Sequence, residues 1–280
     1  MTSAIADSRG RSDAERIEAL EEQMRGLVRE LAEAKHRVAL LETDLRAKVD
    51  RGGPRFAAIY PGFIDRFRGP TAEVTAKLAA YLPDVQRLVG PAGAGVVDVG
   101  PGRGEWLALL RDAGVPASGV DANSDFVDAA RACGLDVVQG DAVEHLHDRP
   151  PDSVDVVTAF HVIEHLDVDE LLALLAAARH VLRPGGCVVL ETPNPTNLQM
   201  GACDFYNDPT HRSPLPPDLT EFLVSASGFD EIEVRALNPN QSTFEPVDAG
   251  PCQRIERLVA RTLYGPQDYA VLGYKPRSAD

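Results

Sequence analysis

Apolar residues recur at alternating steps of three and four along residues 13–50, a stretch with one glycine and no proline. This spacing predicts a coiled-coil helix. The a and d positions of its heptads are Ile17, Leu20, Met24, Leu27, Leu31, Ala34, Val38, Leu41 and Leu45. In a parallel pair, Glu30 faces Lys35 and Arg37 faces Glu42, which favours a parallel homodimer through this segment. The alternative is a single amphipathic helix packed on its own globule.

After a Gly-Gly-Pro break, strand and helix patterns alternate along the chain. Such alternation predicts an α/β fold: a doubly wound, mostly parallel seven-stranded sheet with helices on both faces, in which the last two strands need not be parallel. The predicted helices cover 70–89, 105–113, 125–133, 171–182 and 252–263. The predicted strands cover 95–99, 117–120, 136–139, 154–159, 187–190, 231–236 and 269–274. Residues 1–12 precede the heptads and are expected to be disordered.

Composition narrows the classes of partner. The 280 residues include 28 Lys and Arg against 43 Asp and Glu, a formal net charge of −15. An acidic surface repels nucleic acid, so we expect none as a partner. There is no apolar run long enough for a membrane span and no secretion signal, which predicts a cytoplasmic protein. The four cysteines are isolated from one another and predict neither a zinc site nor a redox pair.

A glycine-rich turn follows the first predicted strand, in the sequence VVDVGPGRGEW at 96–106. Gly100, Gly102 and Gly104 there let the backbone turn sharply and approach a ligand beyond the carboxyl end of the strand. A dinucleotide fingerprint needs a further glycine where this chain has Glu105. The turn therefore predicts a different nucleotide-like ligand.

Three carboxylates stand at the ends of the first three strands. Asp98, inside the first strand, is suited to a ligand ammonium, with capping of the glycine turn as the alternative. Asp121 is placed to accept both hydroxyls of a ribose, and Asp141 suits an adenine amino group. A ligand that combines an amino acid, a ribose and an adenine is S-adenosylmethionine (SAM).

Five segments together resemble the motifs of class I SAM-dependent methyltransferases: VVDVGPGRGEW, GVDAN, VQGDAVEHL, VDVVTAFHVIEHL and VLRPGGCVVLETPNP. The resemblance implies a Rossmann-like methyltransferase domain over 91–280, with a linker and helices in 51–90 capping the cofactor site. It implies SAM as the cofactor. The predicted cofactor-binding residues are Asp98, Gly100, Gly102, Gly104, Asp121, Ala122, Asp141, Ala142, Phe160, His161 and Arg68.

A narrower resemblance lies on either side of this core, in FIDRFRGPTAEVTAKLAAYLP and NPTNLQMGACDFYNDPTHRSPLPPDLTEFLVSASGF. Both segments are similar to methyltransferases that modify bacterial polysaccharides, including O-antigen chain-terminating enzymes. This implies O-methylation of a sugar hydroxyl in a polysaccharide or glycoconjugate. The alternatives are a small metabolite or lipid as acceptor, and a coiled-coil scaffold whose methyltransferase fold is vestigial.

An alcohol acceptor must lose a proton, and histidine is the usual base near neutral pH. His211, beside Asp208 in the loop after the fifth strand, is the predicted base or substrate ligand; bracing of the loop is the alternative. His161 follows the fourth strand and is predicted as a wall of the cofactor pocket or a second catalytic group. Asp208 is the third predicted catalytic residue.

The segment His161, Glu164 and His165 also spells HxxEH, a zinc-protease pattern. The glycine turn at the same edge of the sheet argues against that chemistry, so no metal ligands are assigned. A magnesium ion held by some of these acids is an alternative.

Further side chains are candidates for ligand contact. Arg66 and Arg68 precede the core, and their forked donors suit the cofactor carboxylate or a substrate anion. Trp106, Phe160 and Tyr206 offer aromatic faces to an adenine or a sugar, with a place in the core as the alternative for Trp106.

Overall fold

The computed structural model describes Gly26, Phe56 and residues 59–90, 93–239 and 253–277. The chain divides into two compact units, 1–55 and 56–280. The predicted disorder of 1–12 and nearly all of the predicted coiled coil lie outside the described residues. Within the coiled-coil segment only Gly26 is described, and it is helical.

Seven strands form one sheet, as the alternating pattern predicts. Their order across the sheet is β3-β2-β1-β4-β5-β7-β6. All neighbouring pairs are parallel except those made by β7, which is antiparallel to β5 and β6. The strands are β1 (Val96–Val99), β2 (Ala117–Asp121), β3 (Val137–Gln139), β4 (Val154–Phe160), β5 (Leu182–Pro193), β6 (Asp230–Pro239) and β7 (Pro266–Tyr274).

Ten α-helices lie within the part of the chain that the structure describes. They are α1 (Tyr60–Phe67), α2 (Thr71–Leu78), α3 (Leu82–Val89), α4 (Glu105–Asp112), α5 (Ser124–Ala132), α6 (Ala142–His147), α7 (Val168–Val181), α8 (Leu198–Ala202), α9 (Pro217–Ala226) and α10 (Gln253–Leu263). None of these described helices is long and apolar enough to cross a membrane.

The prediction of a single helix over 70–89 is wrong. Two helices occupy this stretch, with a 3₁₀ turn at Ala79–Tyr81 between them. Pro83 lies in the first turn of α3. A proline lacks the N–H that a continuous helix needs and is tolerated in a first turn, so the chain restarts its helix there.

Strand β5 is longer than predicted, because it begins at Leu182 and includes Arg183-Pro184-Gly185-Gly186. Gly185 has φ 78° and its N–H donates to Lys275 O at 2.8 Å, while Gly186 O accepts from Lys275 N at 2.8 Å. A Cβ at Gly186 would lie 2.8 Å from Asp155 O. The glycines therefore let neighbouring strands approach through an irregular pairing.

Apolar cores cover both faces of the sheet. Along β1, Val97 and Val99 point to the core that includes α7, while Val96 points to the core that includes α2, α3 and α4. Successive side chains of a strand alternate between faces, so Asp98 lies on the same face as Val96. The three cysteines of the described residues are free thiols: Cys187 is buried, and Cys133 and Cys203 are exposed.

Candidate functional site

The sheet reverses its strand order between β1 and β4, and ligands of doubly wound folds bind beyond the carboxyl ends of such strands. Gly100 follows β1 and His161 follows β4. The two ends are in contact, because a Cβ on Gly100 would lie 2.7 Å from Val162 Cγ2. The glycine turn and the HVIEHL segment therefore face one edge of the sheet together.

The glycine turn uses backbone conformations that favour glycine. Gly100, Gly102 and Gly104 have φ of 66°, 53° and 82°. Asp121 holds the turn from the end of β2: its Oδ2 accepts from Gly102 N at 3.0 Å and its Oδ1 from Asn123 N at 2.8 Å. Burial raises the pKa of Asp121, against the effect of these two backbone bonds. Its carboxylate already accepts backbone N–H groups and retains lone pairs for a ligand hydroxyl.

Asp98 lies beside this turn and is 2 % exposed. It accepts a hydrogen bond from Thr158 Oγ1 at 2.6 Å across the β1–β4 pairing. Burial raises the pKa of Asp98 to about 7, although the Thr158 bond and the charge of Arg68 oppose this change. A cationic group near Asp98 would favour its ionised form.

Glu105 is a further buried acid at this turn and was not expected in the site from the sequence. Its Oε1 accepts from Arg103 Nε at 2.7 Å, whereas Oε2 is buried without a hydrogen-bond partner in the described stretches. The only signal in the sequence was an acid where a dinucleotide fingerprint has glycine. The turn is therefore surrounded by the carboxylates of Asp98, Glu105 and Asp121.

Arginines join the segment before α2 to the glycine turn. A Cβ on Gly102 would lie 3.4 Å from Arg68 Nη1, which places this guanidinium over the turn. Arg103 donates to Asp65 Oδ1 at 3.1 Å and to Gly69 O at 3.0 Å. Arg66 instead lies over the ring of Phe67, 5.6 Å from its centroid.

Asp141 follows β3 and caps α6. Its Oδ1 accepts from Val143 N at 2.9 Å and from Glu144 N at 3.0 Å. This bonding accounts for one oxygen and leaves Oδ2 without a hydrogen bond inside the described ranges. Ala142 begins α6, and Ala122 is exposed after β2.

The structure places Phe160 in the core. Its side chain is 3 % exposed, and its ring lies 5.0 Å from Tyr81 and 5.5 Å from Trp106 between centroids. Trp106 is buried in the same cluster, in line with the alternative given for it above. Tyr206 is exposed and contacts the ring of Phe205. Ligand contact by these rings stays a prediction.

His161 lies at the end of β4 between two buried carboxylates, with the left-handed φ of 56°. Its Nδ1 is 3.3 Å from Glu164 Oε1 and its Nε2 is 3.3 Å from Glu191 Oε1. Burial alone lowers its pKa, but contacts with Glu164 and Glu191 outweigh burial and raise it to about 10. His161 is therefore a cation at neutral pH. Glu191 and Asp268 were not expected here from the sequence, and they meet because β5 pairs with β7.

Glu164 is fully buried beneath the histidines. Its Oε2 accepts from Thr192 Oγ1 at 2.9 Å, while Oε1 has no aligned hydrogen bond from any described residue despite the nearby His161 ring. Burial raises the pKa of Glu164, but the contact with His161 dominates and lowers it to about 2. The carboxylate is thus ionised.

His211 reaches the same carboxylate from the loop after α8. Its Nδ1 lies 2.7 Å from Phe205 O, and its Nε2 lies 3.9 Å from Glu164 Oε1 and 4.0 Å from Asp208 Oδ2. Burial lowers the pKa of His211, against the attraction of Glu164. His211 is therefore neutral near pH 7, in contrast to His161.

Asp208 organises the loop that carries His211. Its Oδ1 accepts from Thr210 N at 2.8 Å and from Thr210 Oγ1 at 2.6 Å, and its Oδ2 accepts from Tyr60 OH at 3.0 Å. Thr210 Oγ1 also lies 2.9 Å from His165 Nδ1. The structure thus brings the three predicted catalytic residues, His161, Asp208 and His211, to one cluster around Glu164.

Comparison with known proteins shows the family to which this fold and the site at the carboxyl ends of its strands belong. A methyltransferase-domain family model matches residues 72–234. A crystal structure of a SAM-dependent methyltransferase from Archaeoglobus fulgidus is 31 % identical, with a TM-score of 0.69, and the match covers 77 % of this chain and 99 % of that one. The chain therefore belongs to the SAM-dependent methyltransferase family.

More distant comparisons indicate the fold alone. A phosphoethanolamine N-methyltransferase 2 from Haemonchus contortus, solved with SAM, is 17 % identical with a TM-score of 0.53; the match covers 78 % of this chain and 60 % of that one.

Curated relatives match about half of the chain. A ubiquinone biosynthesis O-methyltransferase of Xylella fastidiosa is 31 % identical over 147 residues, 51 % of this chain and 58 % of the relative. The enzyme of the same name from Xanthomonas campestris is 33 % identical over 147 residues, 51 % of this chain and 60 % of the relative. The chain thus spans less than two thirds of the length of these curated relatives.

Proposed function

We propose that this chain transfers the methyl group of SAM to a hydroxyl group of an acceptor. The observation that carries the proposal is the set of carboxylates at the glycine turn, the buried Asp98 and Glu105 and the half-buried Asp121, with one buried oxygen of Glu105 lacking a partner among the described residues. Such a set suits a ligand that bears positive charge. SAM carries an ammonium and a sulfonium, and when bound it supplies an electrophilic methyl group.

In this proposal, each residue at the strand ends binds a different part of the cofactor. Asp98 pairs with the ammonium, and Arg68 is placed to bind the carboxylate of the same amino acid. Asp121 accepts the ribose hydroxyls, and Asp141 uses Oδ2 to accept from the adenine amino group. Gly102 lets the backbone lie close to the ligand, because any other residue here would place a Cβ next to Arg68.

His211 acts on the acceptor hydroxyl through Nε2. A carbonyl oxygen only accepts hydrogen bonds, so the contact with Phe205 O fixes the proton on Nδ1 and leaves a lone pair on Nε2. In the transfer, the hydroxyl proton moves to this lone pair and the oxygen bonds to the methyl carbon. The S–CH₃ bond breaks with its electron pair going to sulfur, so the sulfonium becomes a neutral thioether.

Two acceptor classes follow from different observations. The names of the curated relatives favour a hydroxyl of a ubiquinone-biosynthesis intermediate. The segments around residues 63–83 and 194–229, which resemble polysaccharide-modifying methyltransferases, favour a sugar hydroxyl. Acceptor choice is made by loops outside the shared core, so the two classes are separated by assay.

The assay supplies methyl-labelled SAM with a panel of hydroxylated polyprenyl-ring compounds and oligosaccharides, and detects methylated product by mass spectrometry. We expect product from one class, loss of turnover in His211→Ala with SAM affinity retained, and normal turnover in His180→Ala, a histidine on α7. Calorimetry without detectable SAM affinity would contradict the proposal and favour the scaffold alternative. Full turnover by His211→Ala would remove His211 from its role.

We further propose that residues 13–50 form a parallel homodimer that presents two such sites, in a cytoplasmic enzyme, and that residues 51–90 cover the cofactor. Light scattering on the full chain is expected to give twice the monomer mass, and Leu27→Pro is expected to reduce it to the monomer because proline breaks the helix. A monomeric wild-type chain would favour the alternative, in which residues 13–50 form a single amphipathic helix that packs on its own globule.

A further inference from the structure

The buried Glu164 carboxylate has one oxygen, Oε1, that lies near the rings of His161 and His211. Oε1 is inaccessible to solvent and has no hydrogen-bond partner in the described part of the chain, although His161 Nδ1 lies 3.3 Å away. The nearby His161 cation compensates the charge of this oxygen, but without an aligned N–H its lone pairs stay open to a ligand. The other oxygen, Oε2, is satisfied by Thr192.

The two nearest loop-facing histidines have their protons turned away from this oxygen. Phe205 O takes the Nδ1–H of His211, as described above. The hydroxyl hydrogen of Thr210 goes to Asp208 Oδ1, so Thr210 Oγ1 accepts from Nδ1–H of His165. Each imidazole thus keeps its lone pair on Nε2. This matches the outer hydrogen bonds that orient metal-binding histidines in proteins.

The three residues lie close enough to share one ion. One ligand atom from each of Glu164, His165 and His211 lies within 4.8 Å of the other two, and Glu164 Oε1 is 3.9 Å from His211 Nε2. Zinc bonds of about 2.0–2.2 Å hold tetrahedral ligand atoms roughly 3.4 Å apart, so Glu164 Oε1 and His211 Nε2 need to approach by about half an ångström. We propose that Glu164, His165 and His211 bind a divalent transition-metal ion.

The donor set selects the kind of ion. Two imidazole nitrogens and one carboxylate suit zinc and its first-row neighbours, whereas magnesium and calcium prefer oxygen ligands. This inference therefore differs from the magnesium alternative suggested by the acids of the sequence. Three protein ligands leave a fourth position open, as in catalytic zinc sites.

The open fourth coordination position gives the ion a role in methyl transfer to a hydroxyl. This role rests on the proposed function. An acceptor hydroxyl bound there becomes more acidic. The lone pair of His211 is then used in the metal bond, so the ion's charge stabilises the alkoxide and the hydroxyl proton passes to water. Loss of turnover in His211→Ala is expected by either route, and metal binding separates them.

The test measures Zn²⁺ binding to the full chain after treatment with a chelator, by calorimetry without SAM or acceptor. We expect one ion per chain and a rise in melting temperature with Zn²⁺. Glu164→Gln and His211→Ala should each weaken binding by about 100-fold or more, and Thr210→Val by about 10- to 100-fold because it removes only an outer hydrogen bond. His180→Ala should bind as the wild type does.

Circular dichroism separates unfolding from loss of the site in each variant. No saturable Zn²⁺ binding by the wild type, or equal affinity in folded Glu164→Gln and wild type, would overturn the proposal. Metal binding without SAM affinity would uphold this site and reject the proposed function. If the chain binds no metal and its SAM-dependent turnover is unaffected by a chelator, the proposed function is upheld and the metal site is rejected.

Discussion

Tyr60 at the start of α1 donates a hydrogen bond of 3.0 Å to Asp208 Oδ2 in the loop that carries His211, across 148 positions of sequence. The other end of α1 is held at the glycine turn, because Arg103 donates to Asp65 and to Gly69 O. Helix α1 is thus connected both to the turn and to the histidine cluster.

Removing the Tyr60 hydroxyl tests this connection. We expect Tyr60→Phe to raise the KM for SAM or acceptor several-fold and to lower the free energy of unfolding by about 1–2 kcal/mol, since a part-buried carboxylate loses a donor. Steady-state kinetics and denaturant titration measure the two effects. Tyr206→Phe, at an exposed tyrosine, should change neither. Equal behaviour of the two variants would show that the contact is unimportant.

SAM affinity should depend on pH through Asp98, whose pKa burial raises to about 7. Below pH 7 this carboxyl is protonated in the free protein and must lose its proton to pair with the ammonium. Affinity is therefore expected to rise with pH up to about 7, by at most about tenfold per unit, and then to level off. Calorimetry in buffers of different ionisation enthalpy should detect proton release at pH 6 and little at pH 8.

Asp98→Asn is the control for that pH dependence. The amide keeps the shape of the carboxyl and a contact with Thr158 but cannot titrate, so its affinity should be weaker and flat across this range. The same slope in the variant and the wild type would assign the titration to another group.

Gly100 should tolerate no side chain. Gly100→Ala places a Cβ 2.7 Å from Cγ2 of Val162, a stiff β-branched residue, at a φ of 66°. We expect a loss of about 2–4 kcal/mol in the free energy of unfolding together with weaker SAM binding. Gly114→Ala has a similar φ of 72° without any atom within 4 Å, so it should cost about 1 kcal/mol. Similar losses in both variants would mean that backbone strain at positive φ, and not the contact with Val162, causes the destabilisation.

The buried position of Phe160 predicts a structural effect. Phe160→Ala should lower the free energy of unfolding by about 3–5 kcal/mol, because the ring fills the space between Tyr81 and Trp106. Phe222→Ala, at a side chain that is 65 % exposed on α9, should change it by less than about 0.5 kcal/mol. A small loss from Phe160→Ala with a large loss of SAM affinity would instead support the predicted contact with the ligand.

Much of the fold was open to prediction because its signals are local. Buried parallel strands are continuous apolar runs, and the glycine turn needs residues that accept positive φ, so VVDVGPGRG marks β1 and its turn without reference to distant residues. The split of 70–89 at Pro83 and the extension of β5 through Gly185 and Gly186 were missed. Pro83 is a local signal for the split, whereas the extension of β5 depends on hydrogen bonds to Lys275, which lies far along the chain.

The sequence alone determined the residue types at the strand ends, from Asp98 to Asp141 and His161, since strand ends share one edge of a parallel sheet. Only the tertiary structure decided which of them meet. Pairing of β5 with β7 brings Asp268 beside Glu191, and the returning loop brings His211 over Glu164. It also decided that the His161 imidazole is charged and the His211 imidazole neutral, because these states depend on burial and on carboxylates that the fold brings to each ring, such as Glu191 beside His161 and Glu164 beside His211.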